Sequence, residues 1–434
     1  MPHDYPCRII GVLDNGLHGL APQALEHLRR ADLVIAGTRV LALFAGELAP
    51  DSETRDLTGK LSQIPDWIRE AQAKGLRVVV LATGDPLCHG IAGFLQSRLC
   101  IENFEILPNL SMVQLACARL GIPWQDMKIL SVHGPDTGEW PNKRQWGAGP
   151  EHGLYSILQA VARHDRLAIY TSPHNSPDRI ARMLVEEGFA DDFQLAVAER
   201  LLRDDERVVT DCTVREAARR HFADPNILLL WRNTPRPREP LFGLPDEDYR
   251  QRQPDKGLIT GREVRAVSLA RLQLAGDSIV WDIGAGSGAV GLEAARLCPD
   301  GHVFAIEKNA EDYANCVENR RQLRVTNYTP RHGKAPKGLD DWPDPDAVFI
   351  GGSGGELVVL IRLTLERLKL GGRLVMNFVT FENLSTAIGI LKEIGATWDV
   401  TQLNVSRSRP ILDMHRLAAE NPVWIVCASR SGES

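Results

Sequence analysis

The apolar positions of this chain fall into two recurring patterns. Short runs rich in aliphatic and β-branched residues, at 8–13, 33–36, 78–82, 104–107, 129–132, 167–170, 194–199 and 226–231, read as strands. The run at 78–82 (VVVLA) has no polar break, as expected of a strand covered on both faces of a parallel sheet. Between the runs, apolar side chains recur at helical spacing over 22–30, 111–120 and 177–187. Alternation of strand and helix predicts an α/β class.

The pattern stops after 231. The stretch 232–257 (RNTPRPREPLFGLPDEDYRQRQPDKG) carries prolines at 235, 237, 240, 245 and 254 among many charges. Proline fixes φ and removes a backbone donor, so this stretch resists both helix and sheet. It reads as an inter-domain linker at 236–256, with one domain over 1–235 and another over 257–434. The alternation then restarts. A helix at 262–273 places Val264, Val267, Leu269 and Leu272 on one face, and strands are expected at 278–283, 302–307, 327–331, 347–350, 373–378, 398–405 and 423–428. The last two lack a full helix between them. That predicts a doubly wound seven-stranded sheet closed by an antiparallel hairpin.

Composition narrows the function more than the fold. At roughly 150 residues per domain, 434 residues suggest about three units. Hydrophobic residues at 44% and charged residues at 24% exclude a disordered chain, and no apolar run is long enough to cross a bilayer. The net charge of −6 gives no overall basic field for nucleic acid or anionic lipid. An anionic substrate would therefore need locally placed arginines. The start, MPHDYPCRIIGVLDNG, lacks the features of a signal peptide, and a cytoplasmic protein is expected. The eight cysteines include no C-x-x-C pair, so neither a metal site nor a disulfide framework is predicted.

The sharpest chemistry lies in IVWDIGAGSGAVGLEAA, residues 279–295. Gly284, Gly286 and Gly288 follow a strand and permit a tight turn with close approach to a ligand. The following helix presents its N-terminus to that ligand. Glu307 closes the next strand, where a carboxylate can accept the hydroxyl protons of a ribose. Residues 286–291 (GSGAVG) match the dinucleotide pattern, so an NAD-dependent oxidoreductase is one reading. Asp282, before the first glycine, would repel a pyrophosphate but would suit the cationic amino-acid end of S-adenosylmethionine. The D-x-G-x-G-x-G form favours the methyl donor. In the first half, LATGDPLCHG (81–90) sets a Gly-Asp-Pro turn directly after a buried strand, which reads either as a plain turn or as a ligand loop.

Taken together, GLITGREVRAVSLARL, DIGAGSG, AIEKN, AVFIGGSGGEL and LKLGGRLVMNFVTFEN resemble the decarboxylating precorrin methylase domain of cobalamin biosynthesis, over about 255–430. The resemblance implies S-adenosylmethionine held by Thr260, Asp282, Gly284, Ala285, Gly286, Ser287, Gly288, Glu307 and Ala335. In the first half, GVLDNGLHGL, ADLVIAGTRVL and PNLSMVQLACARLGIPWQDM around the Gly-Asp-Pro turn are similar to the tetrapyrrole methylase family, in its precorrin-6Y branch. That implies two α/β lobes parting near 108–120, with a second methyl donor near Gly84, Asp85, Pro86, Ser111 and Met112. His133 stands in SVHGPD where the branch reads H-G-R, with Pro135 in place of the arginine.

The whole chain thus resembles the form of the family that fuses both domains. This implies methylation of a precorrin at bridging carbon 5 by the N-terminal domain and carbon 15 by the C-terminal domain. It also implies decarboxylation of a ring acetate, taking precorrin-6B to precorrin-8, with one S-adenosylmethionine per domain. Such chemistry rests mainly on positioning. No general acid or base is assigned, Asn377 and Glu293 being the ones considered. The substrate is a polycarboxylate, so Arg39, Arg262, Arg265, Arg407 and Arg409 are candidate partners for it. A homo-oligomer is expected. A non-catalytic, tetrapyrrole-binding first domain remains an alternative, motivated by Pro135 and the 11–16 loop.

Overall fold

The computed structural model describes residues 5–99, 104–141, 148–236, 240–252 and 259–430. Pro237, Pro254, Cys100, the C-terminal end of the expected linker and the first four residues lie outside the described residues. The chain divides into two units. The first holds 1–136, 163–185 and 189–234, and the second holds 137–162, 186–188 and 235–434. Among the described residues no helix is long and apolar enough to cross a membrane.

The first unit begins with alternating elements: β1 (Cys7–Val12), α1 (Pro22–Arg29), β2 (Leu33–Ala36), α2 (Thr38–Phe44), β3 (Glu53–Asp56), α3 (Ile64–Ala73), β4 (Val78–Thr83), α4 (Ile91–Gln96), β5 (Phe104–Leu107) and α5 (Met112–Leu120). The strands form a parallel sheet in the order β3-β2-β4-β1-β5. Its apolar centre follows from the sequence, since β1 and β4 are buried nearly throughout. Two core clusters cover it, one with Ile9, Ile35 and Val80, the other with Ile10, Val34 and Leu81. Edge strand β3 (ETRD) is polar and was not expected from the apolar pattern. Helix α5 starts at a capping box in which Ser111 and Gln114 satisfy each other's backbone N–H, and it ends at the left-handed Gly121.

A second sheet follows, built from β6 (Lys128–Ser131), β7 (Arg166–Tyr170), β8 (Phe193–Glu199), β9 (Arg207–Val209) and β10 (Asn226–Arg232). Helix α6 (Tyr155–Arg163) comes after β6, and its residues up to 162 group with the second unit. Helices α7 (Pro177–Glu186) and α8 (Val214–Ala217) follow β7 and β9. The strand order is β6-β7-β10-β8-β9, with only β6 and β7 parallel. The α/β class holds, and this sheet is mostly antiparallel. Only a short connection joins β8 to β9, and a parallel crossover needs a dozen or more residues.

The second unit carries α9 (Arg262–Leu272), β11 (Ile279–Ile283), α10 (Ala289–Leu297), β12 (His302–Glu307), α11 (Ala310–Gln322), β13 (Tyr328–His332), β14 (Ala347–Ile350), α12 (Leu357–Arg367), β15 (Arg373–Phe378), α13 (Phe381–Ile394), β16 (Thr397–Leu403), β17 (Ser406–Ile411), β18 (Met414–Ala419) and β19 (Val423–Ser429). Seven strands make one sheet in the order β13-β12-β11-β14-β15-β19-β16, with β19 antiparallel to both neighbours. The doubly wound, seven-stranded expectation holds. Strands β17 and β18 form a separate exposed hairpin that the sequence pattern did not reveal.

The proline-rich stretch is ordered over its described part. Glu293 of α10, fully buried, accepts from the backbone N–H of Gly243 (2.7 Å) and Leu244 (3.0 Å), from Tyr249 Oη (2.9 Å) and from Arg265 Nε (2.8 Å). One carboxylate thus fixes residues 243–249 onto α9 and α10.

Candidate functional site

In the second unit the loops after β11, β12, β13 and β14 meet at the carboxyl edge of the sheet, where open α/β sheets bind ligands. They enclose a cleft of about 430 Å³ lined by Gly284, Gly286, Glu307, Ala335 and Gly352, among others. The glycines there are required by contact. A Cβ on Gly284, which has φ +71°, would lie 2.3 Å from Gly352 O and 2.6 Å from Gly352 N. The loops after β11 and β14 therefore touch backbone to backbone. Gly291 has a similar reason: a Cβ there would come within 2.3 Å of Asp282 Oδ2. Helix α10 thereby packs directly on β11.

Glu307 ends β12 with a nearly buried carboxylate. Its Oε2 accepts from Gly286 N (2.9 Å) and its Oε1 from Asn309 N (2.8 Å). Each oxygen keeps a further lone pair, so the group can hold the glycine loop and still accept from a ligand hydroxyl. Asp282 lies elsewhere than expected. It is buried beneath the loop and does not line the cleft. Its Oδ2 is 3.4 Å from Tyr328 Oη, and its Oδ1 has no hydrogen-bond partner. Desolvation pushes its carboxyl up to about 7. Tyr328 also contacts Cys316 Sγ at 3.1 Å, against which Gly288 packs.

The expected cofactor residues therefore separate into two groups. Gly284, Gly286, Glu307 and Ala335 line the cleft. Asp282, Ala285, Ser287 and Gly288 shape the loop behind them, and Thr260 offers its carbonyl to Arg265 at 2.7 Å. Sequence reasoning missed Arg252, Lys308, Asp312 and Lys334, which also line the cleft. The glycine loop, the acid after β12 and the cleft's size suit a nucleoside-bearing ligand of the S-adenosylmethionine type. Among the described residues no group of three metal-ligating side chains gathers.

Two of the candidate substrate arginines of the second unit have other partners. Arg265 is fully buried, paired with Glu293 at 2.8 Å and Asp246 at 3.0 Å, so its expected place at an open mouth is corrected. Arg407 is engaged by Glu263, by Asp246 at 3.0 Å and by Glu420 at 3.3 Å. The chain's own carboxylates fill both guanidinium forks. Arg262 and Arg409 are exposed. Glu293 and Asn377, considered as acid or base, bond to Arg265 and to Ser268, respectively.

The first unit builds a corresponding edge from β1, β4 and β5. Gly84 N donates to Val12 O at 2.8 Å, and a Cβ on Gly11 would lie 2.3 Å from Gly84 O. Gly84 has φ +76°, with Leu110 O and Met112 near its α-carbon. Asp85 Oδ1 accepts from Leu87 N at 2.9 Å, fixing the Gly84-Asp85-Pro86 turn. Gly84, Met112 and the Ser111 cap are thus brought together. Arg39 pairs with Asp14, and its Nη2 lies 3.4 Å from Thr83 Oγ1, beside that turn. Asn109, not foreseen, donates to Gly11 O (3.1 Å) and Gly19 O (2.7 Å). Tyr170 Oη lies 3.5 Å from Cys88 Sγ, and the Tyr170 ring lies 5.9 Å from that of His89. His133 Nδ1 is 3.1 Å from Ser131 Oγ, and burial with nearby His89 lowers its pKa.

Comparison with known proteins assigns both halves. A profile described as Precorrin methyltransferase domain matches residues 253–429, and one described as Tetrapyrrole (Corrin/Porphyrin) Methylases matches residues 7–218. The chain is 31% identical over 414 residues to a precorrin-6Y C(5,15)-methyltransferase (decarboxylating) of Sinorhizobium sp, covering 93% of this chain and 91% of that one. It is 39% identical over 173 residues to a cobalt-precorrin-6B C(15)-methyltransferase (decarboxylating) of Salmonella typhimurium, covering 40% of this chain and 89% of that one. It is 32% identical over 200 residues to a cobalt-precorrin-7 C(5)-methyltransferase of the same species, covering 46% of this chain and 87% of that one.

Proposed function

The chain belongs to the precorrin-6Y C(5,15)-methyltransferase (decarboxylating) family, and we propose that each of its two units holds one S-adenosylmethionine and performs one of the two methylations. The chain is an S-adenosylmethionine-dependent C-methyltransferase that methylates and decarboxylates a precorrin in cobalamin biosynthesis. In this reading the first unit acts at carbon 5, and the second acts at carbon 15 with loss of carbon dioxide, together converting precorrin-6B to precorrin-8. Support for the division comes from the separate relatives, one named for carbon 15 with decarboxylation and one named for carbon 5.

The observation that carries the cofactor assignment is the pairing of the Gly284–Gly288 loop with Glu307 across one cleft. S-adenosylmethionine supplies a methyl group made electrophilic by the sulfonium, which leaves as a neutral thioether. The protein's part is to hold and to exclude. Glu307 would accept from the ribose hydroxyls while keeping Gly286 N–H in place. Ala335 and the Gly351–Gly354 loop would close the sides. In the first unit the Gly84-Asp85-Pro86 turn, Ser111 and Met112 would take the equivalent role. The carbons that accept methyl belong to an enamine-like macrocycle that is already nucleophilic, so orientation is the main task. The acetate that loses its carboxyl as carbon dioxide needs a dry environment, with the macrocycle taking up the bonding pair and the remaining CH₂ becoming a methyl on protonation. Arg262 and Arg409 are left to meet the other carboxylates, together with Arg39, which is held by Asp14 beside the Gly84 turn. A homo-oligomer and a cytoplasmic location complete the proposal.

Calorimetry of the full chain with S-adenosylhomocysteine tests the cofactor sites. Two equivalents bound, with no heat from NAD, is the expected result, and uptake of NAD alone would sink the proposal. Product mass tests the division. A Gly11→Ala chain should still yield a product with one added methyl and one carboxylate lost as carbon dioxide. A methylated product retaining every carboxylate would overturn the assignment of decarboxylation to the second unit.

A further inference from the structure

The cofactor reading of the second unit leaves its proline-rich stretch unexplained. From residue 248 to 252 this stretch runs along α11, in the direction opposite to the helix. Asp248 O accepts from Gln322 Nε2 at 3.4 Å. Arg250 N donates to Asn319 Oδ1 at 2.7 Å, and Arg250 O accepts from Asn319 Nδ2 at 2.9 Å. Arg252 pairs with Asp312 Oδ2 at 3.3 Å, and both side chains line the cleft. The three contacts descend the helix from its last turn to its first.

Asn319 reaches further. It is fully buried, and its Nδ2 also donates to Ser287 O at 2.8 Å, inside the glycine loop. Its amide oxygen therefore accepts once and its NH₂ donates twice, as an asparagine amide can. Ser287 lies between Gly286, whose N–H is held by Glu307, and Gly288, which has φ +79°. The loop is thus gripped from both sides: its N–H by the carboxylate after β12, its carbonyl by an amide that also holds the strap. The strap's other end is fixed by Glu293 through the backbone of Gly243 and Leu244.

We propose that the 243–252 strap is a working part of the second unit's cofactor site, with Asn319 as the positioning residue that couples it to the glycine loop. The proposal rests on the reading that this cleft takes S-adenosylmethionine. Undocking the strap removes the partner of Asn319 Oδ1 and loosens the amide that holds Ser287 O. The cofactor and the docked strap then favour each other, and by linkage each must strengthen the other.

Asn319→Asp is the informative variant. It keeps the size and the acceptor for Arg250 N–H, but it turns an oxygen toward the carbonyls of Arg250 and Ser287. In the full chain, calorimetry with S-adenosylhomocysteine should show one of two sites weakened about tenfold or more, in line with an unsatisfied buried group. The KM for S-adenosylmethionine should rise by a similar factor, with kcat for the decarboxylating methylation within about twofold. A loss of folded enzyme alone would lower kcat and leave that KM unchanged, and that result overturns the proposal. A second measurement needs no variant. Saturating S-adenosylhomocysteine should slow tryptic cleavage of the wild type after Arg250 and Arg252, and an unchanged rate overturns the proposal. A wild type that takes up no S-adenosylhomocysteine overturns both this inference and the cofactor reading beneath it. Two equivalents bound with unchanged affinity in Asn319→Asp overturns this inference alone.

Discussion

In the first unit Gly11 meets Gly84, and in the second Gly284 meets Gly352, with the same consequence. A Cβ on either lower glycine would sit 2.3 Å from a carbonyl oxygen of the loop crossing it. Both pairs stand at the carboxyl ends of adjacent parallel strands, β1 with β4 and β11 with β14. The two units differ in what holds the crossing loops. In the second, the buried side chains Glu307 and Asn319 do so. In the first, the holders are the half-buried Asn109 and the nearly buried Asp14, which pairs with Arg39 and Arg203, whose guanidinium groups lie nearer to solvent. Hydrogen bonds made in a dry site are costly to lose, whereas exposed ones are partly replaced by water. The second site is therefore the stiffer of the two.

The glycine pair offers the largest test. Gly284→Ala adds a Cβ with no room and imposes a left-handed φ on alanine. A cost near 3 kcal/mol, on the order of a hundredfold in affinity, is expected for the second site. Gly11→Ala should do the same to the first. Calorimetry with S-adenosylhomocysteine should fall from two equivalents to one in each variant, and each should lose a different methyl group from the product. If both variants lose the same methylation, the units do not divide the work.

Removing the holders should separate the units. Glu307→Gln leaves one of two backbone N–H groups facing an NH₂. A loss of about 2 kcal/mol, roughly thirtyfold in affinity, is expected at the second site. Asn109→Ala removes two bonds made by a half-buried amide, and about 1 kcal/mol, roughly fivefold, is expected at the first. Equal losses would erase the contrast in stiffness.

The same contrast governs what could be read from the sequence. DIGAGSG and Glu307 are local, and their spacing alone places a loop against an acid. The strands of the second sheet were legible because β11, β12, β14 and β15 are buried on both faces and read as apolar runs. The hairpin β17–β18 was not, since its alternation of Ser and Arg offers no apolar face and is exposed apart from Arg407. Asn319 and Arg250 stand 69 residues apart, and nothing in either neighbourhood announces their pairing. Arg265 and Arg407 read as free substrate partners in the sequence because their acids, Glu293, Asp246 and Glu263, come to them only through folding. Charge in a sequence shows what is available, and the fold decides what remains free.

Asp282 gives a pH test of the dry site. Its carboxyl titrates near 7 in the folded chain against about 4 when unfolded. The folded state then binds the proton more tightly, so this group's contribution to stability is greatest below about 4 and falls as pH rises toward 7. Above 7 the ionised group stays buried with one oxygen unpartnered. Asp282→Asn should flatten this loss. Thermal melting at pH 8 should rise by a few degrees, about 2 to 4 °C, relative to wild type, with a smaller gain at pH 5. A variant that gains equally at both would show that burial of charge is not the cause. Asp14 in the first unit, paired with two arginines, offers no such gain on replacement.

The smallest expected effect concerns the substrate's carboxylates. Arg409 lies directly across from Arg416 in the β17–β18 ladder, and neither forms an ion pair among the described residues. Like charges placed opposite each other repel, and a bound carboxylate would relieve them. Arg39 differs, being already engaged by Asp14. An exposed, unpaired guanidinium acts through a field that salt screens over roughly 10 Å at 0.1 M. Arg409→Ala should therefore raise the KM for the precorrin about threefold at low ionic strength, an effect that fades in high salt. Arg39→Ala should change KM by a similar factor with less dependence on salt, because the loss there is a fixed partner of Asp14 beside the Gly84 turn. Measuring KM for both variants at two salt concentrations distinguishes them. If Arg409→Ala leaves KM unchanged at low salt, the hairpin takes no part in substrate recognition, and Arg262 is the candidate that remains in the second unit.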